Sequence, residues 1–169
     1  MIFFLVSSCK EKTTEDNSQF LVETPFEYQV DQFADIKILR YQVPGFDELS
    51  LEQKKLVYYL TQAGLAGRDI IWDQNYRHNL VIRRALENVY ATFMGDKSTE
   101  DWKAFEIYLK RVWFSNGIHH HYSNDKLDPG FSPEYLTALL EETNTSLTGE
   151  PFDVIFNDKD IKKVNKKKG

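Results

Sequence analysis

Residues 98–122 read STEDWKAFEIYLKRVWFSNGIHHHY, and the two halves of this stretch obey different rules. Ser98-Thr99-Glu100-Asp101 sets hydroxyl side chains and then acids ahead of an apolar run. A helix N-terminus selects that chemistry, because its first N–H groups lack intrahelical acceptors. Trp102, Phe105, Ile107, Leu109, Val112 and Trp113 then recur at near-helical intervals, so a helix burying some combination of them is expected. Asn116-Gly117 breaks the pattern, since glycine takes positive φ without a Cβ clash. Beyond the break stand three of the chain's four histidines in a row, His119, His120 and His121, followed by Tyr122. Adjacent imidazoles offer donors, acceptors and ligating nitrogens at one loop entrance. Asn116, Gly117, His119, His120, His121 and Tyr122 are therefore the candidate binding residues.

Working outward, the spacing of Leu80, Ile82, Leu86, Val89, Tyr90 and Phe93 predicts a long amphipathic helix from about Asn75, stopped at Gly95. Gly67 to Asp73 reads equally as a connector or a new helix. Farther back, Ser50-Leu51-Glu52-Gln53 forms a capping box, with Leu56, Tyr59, Leu60 and Ala63 on one face of a helix ending near Gly64 or Gly67. Asp35 to Val43 is partly alternating and β-branched, a strand closed by Pro44-Gly45. Downstream, Ser132 at an N-cap and Pro133 at the first helical position open a short helix through Leu136, Leu139 and Leu140. Phe152 to Phe156 reads as a last strand. The fold class is mainly α with a few short strands (α+β). That last strand runs straight into a lysine-rich end, which reads as an interruption of a longer protein.

Length and composition fit one domain or part of one: 169 residues, 41% apolar and 14% aromatic, enough for a packed core and too apolar for a disordered chain. The formal charge is −5, yet residues 159–169 hold six lysines against one aspartate, a local +5 that leaves −10 for the rest. An acidic body argues against nucleic-acid binding, which needs basic patches. The lysine run reads as a solvated tail. No apolar run reaches the roughly 18 residues of a membrane-spanning helix. Cys9 is the lone cysteine, so no intrachain disulfide forms. Its setting, Leu5-Val6-Ser7-Ser8-Cys9 after an apolar start, resembles a bacterial lipoprotein signal over residues 1–9 in which Cys9 is lipidated. Residues 10–30 then read as a tether, and a functional leader would attach the protein to the membrane in the bacterial cell envelope; without one it would be cytoplasmic.

The residues alone supply no complete active site. A catalytic zinc commonly takes two histidines one helical turn apart plus an acid, and no His-Glu-X-X-His or His-Glu-X-X-Gly-His occurs. On an extended backbone only His119 and His121 share a side, with His78 the remaining histidine, so no native metal site is expected. Gly-X-Ser-X-Gly, Walker and dinucleotide glycine motifs are missing from the sequence. Trp72 and Tyr76 beside Arg68 and Arg77 read as packing, with ligand binding as the alternative.

Three stretches taken together go further: Leu49 to Leu60, Ala63 to Ile70, and Trp113 to Tyr122 with its Asn-Gly-Ile-His-His-His-Tyr string. Over roughly residues 35–160 the chain resembles the N-terminal region of the dipeptidyl peptidase III family of zinc exopeptidases, in its bacterial, Bacteroides-like branch. The resemblance implies a two-lobed enzyme that releases dipeptides from free peptide N-termini. Residues 31–169 would be a helical N-terminal portion of the lobe without zinc. Asn116 to Tyr122 would face the cleft and contact short peptides. The zinc and its ligands would come from the remainder of the peptidase, so this chain would carry no catalytic residue and bind no metal itself. Two alternatives stay open: a non-catalytic envelope lipoprotein binding peptides through the loop 119–121, and metal capture by His119, His120 and His121.

Overall fold

The computed structural model describes residues 26–157. Cys9, the leader, most of the expected tether and the lysine run lie outside the described residues. The described residues are mainly helical with one small antiparallel sheet, an α+β fold.

The sheet is a hairpin of β1 (Gln29–Phe33) and β2 (Ile36–Leu39), with Phe33 opposite Ile36 and a bulge between Gln29 and Asp31. Ala34 makes the turn at φ 47°. The strand expected over 35–43 is thus only its Ile36–Leu39 core, and its partner begins inside the stretch read as tether. The polar sequence QVDQF concealed β1, because a strand exposed on both faces carries no apolar alternation. Phe33 is the hairpin's buried residue. Lys110 lies over its ring at 5.8 Å, and Arg111 donates to Asp35 at 2.7 Å, fastening the hairpin to a later helix.

Helix α1 (Leu51–Ala66) starts as its sequence dictates. Gln53 N–H donates to Ser50 Oγ at 3.3 Å, and Ser50 N–H donates to Gln53 Oε1 at 2.9 Å. Its packing departs from expectation. No residue of α1 is buried, so Leu56, Tyr59, Leu60 and Ala63 form no core face. Apolar side chains surround most of the helix, and among the described residues α1 packs along α2 (Arg68–Asn75).

The helix expected from about Asn75 starts four residues later, and the stretch from Gly67 that read equally as connector or helix is α2. The backbone extends at Tyr76 (φ −162°, ψ 136°), and α3 (Asn79–Thr92) begins three residues later. It stops short of Gly95 because Phe93 caps it and folds its ring back; a Cβ on Gly95 would stand 2.4 Å from that ring. Helix α4 (Glu100–Ser115) opens with Trp102 N–H donating to Thr99 Oγ1 at 3.2 Å. It buries Trp102, Phe105, Leu109 and Val112 together with Tyr108, while Ile107 and Trp113 stand at its rim. Helix α5 (Pro133–Glu142) takes the expected Ser132 cap. Ile82, Leu86 and Val89 of α3 meet the α4 stripe and Leu136 and Leu139 of α5 in one core, where the rings of Phe93 and Trp102 stack at 4.5 Å. Each fully buried Leu, Ile or Phe there contributes about 1.5–3 kcal/mol.

Residues 152–156, expected as a strand, belong to α6 (Glu150–Phe156). Pro151 in its first turn, with Glu150 and Asp153 beside the N-terminal dipole, selects helix over strand.

Candidate functional site

The candidate loop is anchored where α4 ends. Asn116 adopts the left-handed conformation (φ 52°, ψ 42°), and Gly117 N–H donates to Val112 O at 3.1 Å. Gly117 continues at φ 152°, a value that favours glycine. Under it lies Asn79, 1% exposed, whose amide joins three segments. Its Nδ2 donates to Trp72 O at 3.2 Å and to Asn116 O at 3.3 Å, while its Oδ1 accepts from Ile118 N–H at 3.2 Å. Asn75 adds a second donor to Asn116 O at 3.3 Å. The amide saturates its acceptor and both donor directions without ambiguity over which end is oxygen, because Ile118 N–H can only donate.

Past Ile118 the chain doubles back. Leu127 N–H donates to Ile118 O and His120 N–H to Asp125 O, both at 2.8 Å, and His119 faces Lys126 in an antiparallel bridge. At the tip, His120 Nδ1 accepts from Tyr122 N–H and Ser123 N–H, each at 3.3 Å. That places the neutral ring's proton on Nε2.

The structure brings the candidate residues together in sequence but not in environment. His119 is 3% exposed with its ring edge against Tyr76 at 5.0 Å, whereas His120, His121 and Tyr122 project from the surface. His119 and His121 therefore do not share a side, because the backbone bends over residues 121–123 rather than staying extended. His121 rests against Phe114 (4.9 Å) and Tyr122 (4.1 Å), and Tyr122 is 91% exposed. Asn75, Asn116 and the three histidines border a cavity of 170 Å³, room for a peptide group or small side chain rather than a drug-sized ligand. A larger cavity of 530 Å³ lies elsewhere, between α5 and the loop into α6, away from the histidines.

Charge is organised behind the loop. Arg77 Nε donates to His78 Nε2 at 2.9 Å, and Arg77 also pairs with Glu150, tying the α2–α3 turn to α6. Glu150 stands 3.4 Å from the same His78 nitrogen. One nitrogen cannot accept from Arg77 and donate to Glu150 at once, so the Arg77 hydrogen bond requires that Nε2 of His78 carry no proton. Burial first, and then the Arg77 charge, hold its pKa below the ordinary histidine value. On the other side of α3, Arg83 lies buried over the Trp72 ring at 5.0 Å and donates to Asp69 at 2.8 Å. Its Nε stands 3.4 Å from Glu87, which accepts from Trp113 Nε1 at 3.0 Å. Hydrogen bonding from Arg83 lowers the Asp69 carboxyl pKa against a partial desolvation effect, and the charges of Arg83, Arg84 and Arg68 lower it further. Trp72 and Tyr76 are both buried in the core, in keeping with packing rather than ligand binding.

Asn75 and Asn79 are the site residues that sequence reasoning missed. An asparagine at the first position of a helix is ordinary, and only the distant partners at Asn116 and Ile118 reveal its role.

A zinc set does not fit these residues. Among the described residues no group of three or more His, Cys, Asp or Glu could hold a metal ion, and His120 Nδ1 is occupied by two backbone N–H groups. The loop offers instead imidazole and phenol groups on a braced backbone, suited to hydrogen bonding and ring contact with an extended ligand. Compared with protein-family models and with curated proteins, the chain matches none.

Proposed function

We propose that this chain forms a peptide-contacting part of the zinc-free lobe of an exopeptidase resembling dipeptidyl peptidase III, with zinc and catalytic residues supplied from elsewhere in the enzyme. The observation that carries the reading is the loop 116–122. Its backbone is fixed by Asn79, while His120, His121 and Tyr122 project side by side into solvent. Rigid backing limits the entropy lost when such side chains grip a flexible peptide. An extended peptide presents alternating N–H and C=O groups, which imidazole and phenol can accept from and donate to.

Titration with a short free-amino-terminus peptide, followed through the His120, His121 and Tyr122 resonances, tests the reading. Binding should fall at least tenfold in a His120→Ala/His121→Ala/Tyr122→Ala variant. Chromogenic dipeptidyl substrates with zinc added should stay intact with this chain alone. Release of dipeptide by the 169-residue chain would refute the assignment of catalysis elsewhere, and undiminished peptide binding by the triple variant would refute the loop's role.

A further inference from the structure

The 530 Å³ cavity between α5 and the start of α6 shares no lining residue with the cavity beside the histidines. Its wall is preformed. After α5 the backbone turns through Asn144 in the left-handed region (φ 48°), with Asn144 N–H donating to Glu141 O at 3.1 Å and Thr145 N–H to Leu140 O at 2.8 Å. The Thr145 hydroxyl lies 2.7 Å from that of Thr143 and accepts from Asn88 Nδ2 of α3 at 2.8 Å, which fastens the loop to the helix behind it. Leu147 then sinks into the core, 4% exposed. A cavity held in this way exists before any ligand arrives. Its volume lies within the roughly 300–1,000 Å³ of small-molecule sites.

The lining selects the charge of the occupant. Leu140, Leu147 and Phe152 supply apolar surface, while Ser146 and Thr148 supply hydroxyl groups. Among the lining residues Glu141 is the one ionisable side chain, and it forms no ion pair among the described residues. Its position is electrostatically unfavourable. Glu141 and Glu142 close α5, whose last turn holds no basic residue. A helix C-terminus carries partial negative charge and favours a cation beside it. Two carboxylates at that end are a local conflict that a bound cation relieves and a bound anion worsens. A metal ion lacks ligands there, since among the described residues no three His, Cys, Asp or Glu come together to hold one. A saccharide can hydrogen-bond Glu141 but leaves its charge uncompensated.

We propose that this cavity binds a small organic amine, whose ammonium group pairs with Glu141 at the end of α5 while its apolar body lies on Leu140, Leu147 and Phe152. Burial of that body supplies affinity, and the ion pair supplies selection by charge. The Ser146 and Thr148 hydroxyls offer acceptors for ammonium protons that Glu141 does not take. This site is independent of the loop 116–122 and of the peptidase reading.

Phenethylamine, an ammonium group on a short phenyl-bearing chain, is the probe. It is titrated at neutral pH into the 169-residue chain and followed through the amide signals of residues 137–152. Saturable shifts confined to that segment are expected. The amine should bind about three- to fivefold more tightly than phenethyl alcohol, its uncharged counterpart, which is the strength of one partly exposed ion pair. Hydrocinnamate, the anionic counterpart, and methyl glucoside should bind more weakly than either. Glu141→Gln should abolish the preference for amine over alcohol, whereas Glu142→Gln, outside the lining, should retain it. Both glutamates are exposed, so neither substitution disturbs the core. Shifts that do not saturate, shifts spread beyond the cavity, equal affinity for the alcohol or the carboxylate, tighter binding of the glucoside, a preference that survives Glu141→Gln, or one lost in Glu142→Gln would each overturn the proposal.

Discussion

Replacing Gly117 with alanine tests how the candidate loop is held. The new Cβ would stand 2.3 Å from Nδ2, 2.7 Å from Cγ and 2.8 Å from Oδ1 of Asn79. Those distances are impossible, so the Asn79 amide must leave its place and its three hydrogen bonds to Trp72, Asn116 and Ile118 are lost. At about 1 kcal/mol for each bond the displacement costs about 3 kcal/mol. The positive φ adds about 1–2 kcal/mol for a residue with a Cβ, so Gly117→Ala should destabilise by about 4–5 kcal/mol. Asn79→Ala loses the same three bonds and should cost about 3 kcal/mol. The three atoms nearest the new Cβ all belong to the Asn79 side chain beyond its own Cβ. In the Asn79→Ala background the clash vanishes, and Gly117→Ala should cost only the backbone strain, about 1–2 kcal/mol. A double-mutant cycle by urea denaturation, read through the buried Trp72 and Trp102, measures that coupling of about 3 kcal/mol. Additive costs, or a Gly117→Ala penalty below about 1 kcal/mol, would refute the clamp.

Other perturbations act on separate parts of the chain. Replacing His120 with alanine removes the acceptor for the Tyr122 and Ser123 amides; their NMR signals should broaden while global stability changes by less than about 1 kcal/mol, since the site is exposed. The depressed His78 pKa makes the folded state favour the neutral ring. Its contribution is therefore complete above the ordinary histidine range and is lost as pH falls below about 6.5. Imidazole carbon shifts followed against pH check this, and a midpoint above the ordinary range would contradict the Arg77 hydrogen bond. Asp69 runs the same way in an acid window: its contribution holds above the ordinary carboxyl range and drains below about pH 4. Arg83→Met should raise the Asp69 midpoint and flatten that loss in urea unfolding at successive pH values. Ser50→Ala should cost about 1 kcal/mol of local α1 stability, visible as lower helical circular dichroism with the core intact.

Helix beginnings were legible because capping is local. Ser50 with Gln53, Thr99, and Ser132 with Pro133 each act where the sequence places them. The last element was not, because FDVIF is too short for its period to separate helix from strand; the deciding residue was Pro151, just ahead of it. Burial of α1 failed for another reason. Periodicity reports which residues could face a partner and says nothing about whether one is present. At the site, the histidine run announced a loop, but its division into a buried His119 and exposed His120 and His121 depends on pairing with Asp125, Lys126 and Leu127. Asn79 carried no signal, because its role lies in bonds to residues 37 and 39 positions away.

That no side chain of α1 is buried has a consequence for how mutation is tolerated. Elsewhere a change at Leu86 or Phe105 is screened first by the ability to fold. Within Leu51–Ala66 that screen is nearly blind, and a charge can enter at Tyr58 or Leu60 while the core stays intact. Folding therefore does not maintain the apolar character of this helix. Drift would replace its leucines and tyrosines with polar residues unless contact with another surface kept removing such variants.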